Sequence, residues 1–143
     1  MHFEASMPTD LYDQLAACGD LDRIAPAMLS HAAPYLQDSI RKRARVHDRT
    51  GAMSHSVKVM KPKKSRKTGH WAVQVKFTGY DKSRKPTPGY PRGVPNAVKA
   101  ASIEFGSRGG AQQAQPFLDS AAKDAEGDVF AAMQRTYDVE VSK

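Results

Sequence analysis

Trp71-Ala72-Val73-Gln74-Val75-Lys76-Phe77-Thr78 is the stretch that decides the fold. Trp71, Val73, Val75 and Phe77 fall on one side and Ala72, Gln74, Lys76 and Thr78 on the other, the period of two that a half-buried strand requires. Upstream, residues 56–60 alternate in the same way, with Val57 and Val59 on one face. The intervening residues 61–70 hold Pro62 and Gly69 and are too many for a two-residue turn, so a protruding basic arm is expected. A two-stranded ribbon alone is marginal in water. Either helices cover it or another subunit completes the sheet.

Helical patterns lie on both sides of the ribbon. Ile24, Met28, Ala32, Leu36 and Ile40 recur every four residues, which predicts a helix over residues 22–46, roughly 35 Å long at 1.5 Å per residue. Pro26 suits its first turn, whereas Pro34 removes an interior hydrogen bond and is expected to kink or split it. Arg41, Lys42, Arg43 and Arg45 close it where the helix dipole favours cations. A short helix over residues 9–18 precedes it, with Thr9 or Asp10 as N-cap, Leu11, Leu15 and Cys18 on one stripe, and Gly19 as C-cap.

Downstream, residues 79–95 carry Pro86, Pro88, Gly89, Pro91, Gly93 and Pro95, a density of breakers that argues against regular structure. Asn96 is placed to cap a helix over residues 97–105 that ends at Gly106. Residues 107–115 read as a Gly- and Gln-rich connection. Pro116 then opens a last helix, with Leu118, Ala122, Ala125, Val129 and Met133 inward, Asp119 near its positive end and Arg135 near its negative end. Arg49-Thr50-Gly51-Ala52 reads as the turn between the long helix and the first strand. The sum is an α+β fold: N-terminal helices, a small antiparallel sheet with a long basic hairpin, a short helix, and a C-terminal helix packed on the sheet.

The 143 residues suit one domain, 1–143, with arms at 61–70 and 79–95. Hydrophobic residues at 40% and charged residues at 26% argue against full-length disorder. No apolar run approaches the roughly 18 residues of a membrane span. Residues 1–11 carry early acidic side chains and no apolar stretch, unlike a secretory signal. The single cysteine, Cys18, excludes an internal disulfide framework or a cysteine-built zinc site and suits a reducing compartment.

Charge is segregated along the chain. Residues 1–40 hold one basic and six acidic side chains, residues 41–99 hold 17 basic against Asp48 and Asp81, and residues 100–143 hold four basic and seven acidic. A basic middle between acidic ends suits a polyanion, or neighbouring copies whose acidic and basic faces meet. The helix end Arg41–Arg45, the arm with Lys61, Lys63, Lys64, Arg66 and Lys67, and the loop with Lys82, Arg84 and Lys85 are the candidates to converge on one face.

Catalytic and metal chemistry find little support. The five histidines lack the spacing of metal ligands, and cations flank His47 and His55. Ser54, His55 and Asp48 are the residue types of a hydrolase triad, but no Gly-x-Ser-x-Gly elbow surrounds Ser54. Gly106-Ser107-Arg108-Gly109-Gly110 lacks the ending of a phosphate-binding loop and reads as a connector. No cofactor is expected. A basic, sequence-independent nucleic-acid-binding protein stays open as an alternative.

Three segments in order resemble the small neck and tail-component proteins of long-tailed bacteriophages, typified by gene product ten of a lambdoid phage. Thr50-Gly51-Ala52-Met53-Ser54-His55-Ser56-Val57 is similar to that family's Thr-Gly-small-Leu-x-x-Ser-Ile lead into its first strand, with Met53 in place of Leu. Ala100-Ala101-Ser102-Ile103-Glu104-Phe105-Gly106-Ser107 resembles its acidic-aromatic-Gly-Thr/Ser signature. Ala114-Gln115-Pro116-Phe117-Leu118-Asp119-Ser120-Ala121 resembles its Ala-x-Pro-Phe-Leu-x-x-Ala helix start. Residues 79–96 form a longer loop than in many members.

The resemblance implies a non-enzymatic virion protein assembled in the host cytoplasm. It would be a head–tail connector, tail-completion or tail-terminator subunit, in a sixfold or twelvefold ring of copies around the DNA channel. Its partners would be adjacent connector or head-completion proteins and tail-tube or tail-terminator proteins. In that setting Lys61, Lys63, Lys64, Arg66, Lys67, Lys82, Arg84, Lys85 and Tyr90 are candidate subunit contacts, and Arg41, Arg43 and Arg45 are candidates to face DNA. Thr50, Gly51, Glu104, Phe105, Gly106, Pro116 and Phe117 are expected to specify the fold: Gly51 for a sharp turn, Gly106 as a left-handed C-cap, Phe117 as a core anchor.

Overall fold

The computed structural model describes residues 2–6, 9–10, 13, 21–83, 85–110 and 112–143. The elements are β1 (His2–Ser6), α1 (Leu21–Ala44), a 3-10 turn (Arg45–His47), α2 (Ala52–His55), β2 (Val57–Val59), β3 (Lys63–Lys64), β4 (Trp71–Phe77), β5 (Tyr80–Asp81), β6 (Val94–Pro95), α3 (Asn96–Phe105), a second 3-10 turn (Arg108–Gly110) and α4 (Leu118–Val141). The fold is α+β, as the alternation of helical and strand periods requires. Of the expected first helix, Thr9, Asp10 and Asp13 are helical. Leu11, Leu15, Cys18 and the Gly19 cap lie outside the described residues.

Strand β4 is the centre of the sheet. One edge pairs antiparallel with β1, Glu4 opposite Gln74, and the other pairs with β2 and then β3. β1 is an addition the sequence did not announce, because five residues with charged Glu4 between His2 and Ser6 carry no clean alternation. The ribbon is therefore completed within the chain and covered by helices as well.

Residues 61–70 are also more ordered than an arm. Lys58 lies opposite Lys76 and Lys63 opposite Ala72, so the register slips by one residue at Lys61-Pro62, a β-bulge. Proline fits there because it has no N–H to give the ladder. Pairing continues to the Ser65 amide on the His70 carbonyl at 2.8 Å, leaving a short tip at Arg66–Gly69.

Helix α1 spans the sheet. Ile24, Met28, Leu29, Ala32, Leu36 and Ile40 are buried against Val57, Val73, Val75 and Phe77, and on its flank against Leu118, Ala125, Val129 and Met133 of α4. Each fully buried Leu, Ile or Met contributes roughly 1.5–3 kcal/mol of transfer free energy. The two helices run antiparallel: Arg23 meets Glu140 at one end, at 3.2 Å, and Arg43 meets Asp124 near the other, at 2.7 Å. Pro34 does not split α1. Its ring is exposed and so is Ser30, whose carbonyl loses the helical partner and can turn to water, while Ala33 and Leu36 stay packed. Pro26 falls in the second turn rather than the first.

Several expectations for the C-terminal half need correction. Residues 79–95 form a hairpin, with β5 paired to β6 and a tight turn between Thr87 and Tyr90, because the prolines sit at turns and at a strand end where no N–H is needed. Asn96 does not cap α3; Pro95 holds the cap position, and the Asn96 side chain donates to the Thr78 carbonyl at 2.9 Å. Pro116 precedes α4 by two residues, and Phe117 stands at its N-cap. Asp119 lies in the first turn as expected. Arg135 lies short of the last turn, since α4 runs on to Val141, and it bonds the Tyr35 hydroxyl at 3.1 Å.

Candidate functional site

The three segments that carry the family resemblance occupy joints of the fold. Gly51 takes φ 79° and ψ −6°, a left-handed conformation that turns the chain from α1 toward the sheet. Around it, the Asp48 carboxylate accepts the Ser54 amide at 2.7 Å, and the Thr50 hydroxyl accepts the Ala52 amide at 3.3 Å. These bonds satisfy donors at the start of α2, a single helical turn between the turn expected at residues 49–52 and strand β2. Met53, on that turn, is fully buried.

The same bonds dismantle the triad arrangement. Ser54 is 3% exposed and its hydroxyl donates to the Gly51 carbonyl at 3.2 Å. The His55 ring also faces that carbonyl, and Asp48 holds a backbone amide rather than an imidazole.

Segments two and three meet at Glu104. Its side chain, buried on the inner face of α3, accepts the backbone amides of Phe117 and Leu118 at 2.8 and 2.9 Å. It thus serves as the N-terminal cap of a helix thirteen residues away, placing a carboxylate where the helix dipole favours one. Phe117 is buried beside Phe77, ring centroids 6.3 Å apart, and beside His47 at 5.5 Å. Gly106 departs from the expected left-handed cap: φ is 81° but ψ is 168°. The connection then closes on itself, Ser107 bonding Gln112 through both amides, and the Gln115 amide returns to the Ile103 carbonyl at 2.7 Å. Phe105, between two buried joints, is 73% exposed.

The basic candidates separate into engaged and open groups. Arg41 donates to the Val57 carbonyl at 3.0 Å beside Gln37, and Arg43 makes two bonds to Asp124. Of the three expected to face DNA, only Arg45 is exposed without a protein partner among the described residues. Lys64 reaches back to Asp22 at 3.0 Å, on the carboxylate that also accepts the Trp71 indole at 2.9 Å. The Trp71 bond, then Lys64, holds the Asp22 carboxyl below its ordinary range.

Lys61, Lys63, Arg66 and Lys67 remain exposed along the bulge and hairpin tip, as do Lys82 and Lys85 on the second hairpin. Arg84 lies outside the described residues. Tyr90, 41% exposed, sits at the second hairpin's tip with its amide on Thr87.

Two further cations join the open group. Register puts Lys58 directly opposite Lys76 on the sheet face that α1 leaves uncovered, with Lys63 farther along the same face. Directly opposed like charges cost a sheet roughly 0.2–1 kcal/mol, so folding alone disfavours the pair. The described acid on that face is Glu4, already bonded to Gln74 at 3.0 Å. Alternation marked Lys76 as outward, but its neighbour depends on register, which the sequence does not spell out.

Asp81 anchors the second hairpin. It is buried, accepts Lys99 at 2.8 Å and the Ser83 amide at 2.9 Å, and these bonds, Lys99 first, hold its carboxyl far below the ordinary range. A depressed native value stabilises the fold above the unfolded value of about 3.9, and that contribution is lost as pH falls through the native one. The stability gap between wild type and Asp81→Asn, read by urea unfolding, should therefore narrow steadily from about pH 5 to pH 3. A gap that stays constant over that range would remove the linkage.

Among the described residues no group of three His, Cys, Asp or Glu side chains is arranged to hold a metal, and no helix is long and apolar enough to cross a membrane. Compared with protein-family models, curated proteins and solved structures, the chain matches none.

Proposed function

We propose that this protein is a non-enzymatic structural subunit of a phage neck or tail terminus, working in the virion as a ring of copies around the DNA channel. Its partners in this reading are adjacent connector, head-completion or tail-tube proteins. The observation that carries the reading is the Glu104 bridge. The residues that resemble the family's motifs tie α3 to α4 and α1 to the sheet, as expected where shared residues specify a scaffold rather than a reaction. The open row of lysines and the acid-rich helix α4 supply opposite charge on different faces of one subunit, which suits side-by-side assembly.

Negative-stain imaging of particles from a phage whose copy of this reading frame is disrupted tests the proposal. Filled heads beside unattached tails indicate a joining role, and overlong tails indicate termination. Intact, infectious particles lacking the protein would sink the structural assignment.

The second reading, sequence-independent nucleic-acid binding, is favoured by one observation: the Lys58–Lys76 pair with Lys63 on the uncovered sheet face. If that face meets phosphates, Lys58→Gln with Lys76→Gln should flatten the slope of log affinity for duplex DNA against log salt by about 2. The control Arg43→Gln should leave the slope alone, because Arg43 is engaged with Asp124. Equal slopes for all three proteins would exclude the face.

A further inference from the structure

Helix α3 is apolar on two faces. Ala100, Ile103 and Glu104 are buried, while Val98, Ala101, Ser102 and Phe105 follow the helical period along the outer side, with Val98 and Phe105 exposed. Apolar side chains left uncovered on the outer side of a helix, when they lie together, mark a candidate interaction surface. The same molecule carries an open groove of about 320 Å³ between β1 and α4, floored by Leu36, Ala122 and Val129 and walled by Phe130, itself 44% exposed. That volume is at the small end of ligand pockets, suited to a side chain rather than a cofactor.

Building on the ring reading above, we propose that Phe105 of one copy seats in the β1–α4 groove of the next. Within one molecule the two features cannot meet. Helix α3 packs against α2, which leads into β2, whereas the groove runs along β1 on the opposite edge of β4. A knob on one side and a socket on the other make a heterologous contact, which propagates and closes into a ring when the rotation permits.

Charge agrees with the same occupant. The hairpin tied beside α3 by the Asp81–Lys99 pair exposes Lys82, Lys85 and Arg92. The socket's rim bears Glu4 and Glu126, and the cation that lines it among the described residues, Lys123, is matched by Asp119 on the same helix at 3.1 Å. A basic knob side therefore approaches an acidic socket side.

Sedimentation of the full chain with Phe105→Asp, with Phe130→Asp, and with an equimolar mixture of the two tests the contact. Both positions are exposed, and circular dichroism confirms that each variant is folded. Wild type should associate with rising concentration, and each substitution should weaken association at least about 30-fold, as loss of an aromatic anchor does. The mixture should form dimers and nothing larger, since one variant keeps only its socket and the other only its knob.

A wild-type chain that stays monomeric at about 1 mM overturns the contact. So does association untouched by either substitution. Weakening by Phe105→Asp alone places Phe105 against a different surface of the neighbouring copy and overturns the groove as its seat. None of these results touches the neck assignment itself, which particle morphology decides separately.

Discussion

Replacing Glu104 by alanine should destabilise the protein by about 3–5 kcal/mol, read as the free energy of urea unfolding. The carboxylate accepts two backbone amides, those of Phe117 and Leu118, at a site shielded from water. Alanine leaves both donors buried without an acceptor, and each such group costs roughly 1–3 kcal/mol. The substitution also removes the negative charge from the positive end of α4, worth about 0.3–1 kcal/mol or more when partly buried. Glu104→Gln keeps a carbonyl acceptor and should lose about half as much. Phe117 gives an internal check, because fraying of α4's first turn frees its ring from Phe77 before the rest of the core opens. A Glu104→Ala protein within about 1 kcal/mol of wild type would show that α4 is capped by something else.

Gly106→Ala should cost about 2–4 kcal/mol in the same measurement. Its backbone, φ 81° and ψ 168°, lies in a region that glycine alone occupies comfortably, at a strain of about 1–3 kcal/mol for other residues. A β-carbon there would stand 3.0 Å from the Gln112 carbonyl oxygen and 3.1 Å from the Ala114 nitrogen. Both belong to the connection that brings Pro116 and Phe117 back to Glu104, so strain at Gly106 is felt at the cap. The two substitutions should therefore be non-additive, the double variant losing less than the sum. Strict additivity would mean that the connection relaxes independently of the cap.

These joints explain how motif residues can be fold-specifying without forming a site. Thr50 and Gly51 redirect the chain; Glu104, Gly106 and Phe117 fix where α4 begins. What they leave is surface: an exposed Phe105, an open groove beside β1, and a cationic sheet face. On the proposed reading, uncovered surface is where assembly contacts are expected, and they can be tested one residue at a time.

The sequence alone determined what is local. Alternation from Trp71 to Phe77 marked the central strand, the four-residue spacing from Ile24 to Ile40 marked α1, and Leu118 to Met133 marked α4. Each pattern records one-sided burial within a single element, which the order of residues carries directly. The basic middle and acidic ends were likewise plain from composition. Tertiary structure decided everything that lies between elements: that β1 joins β4, that a bulge at Lys61-Pro62 sets Lys58 against Lys76, and that Arg41 and Arg43 are held by protein while Arg45 has no partner among the described residues. It also decided that Pro34 stays within a continuous helix, because packing along α1 outweighs one missing bond on its solvent side. Register, pairing and partner choice arise from distances between residues far apart in the chain, and periodicity within an element holds no record of them.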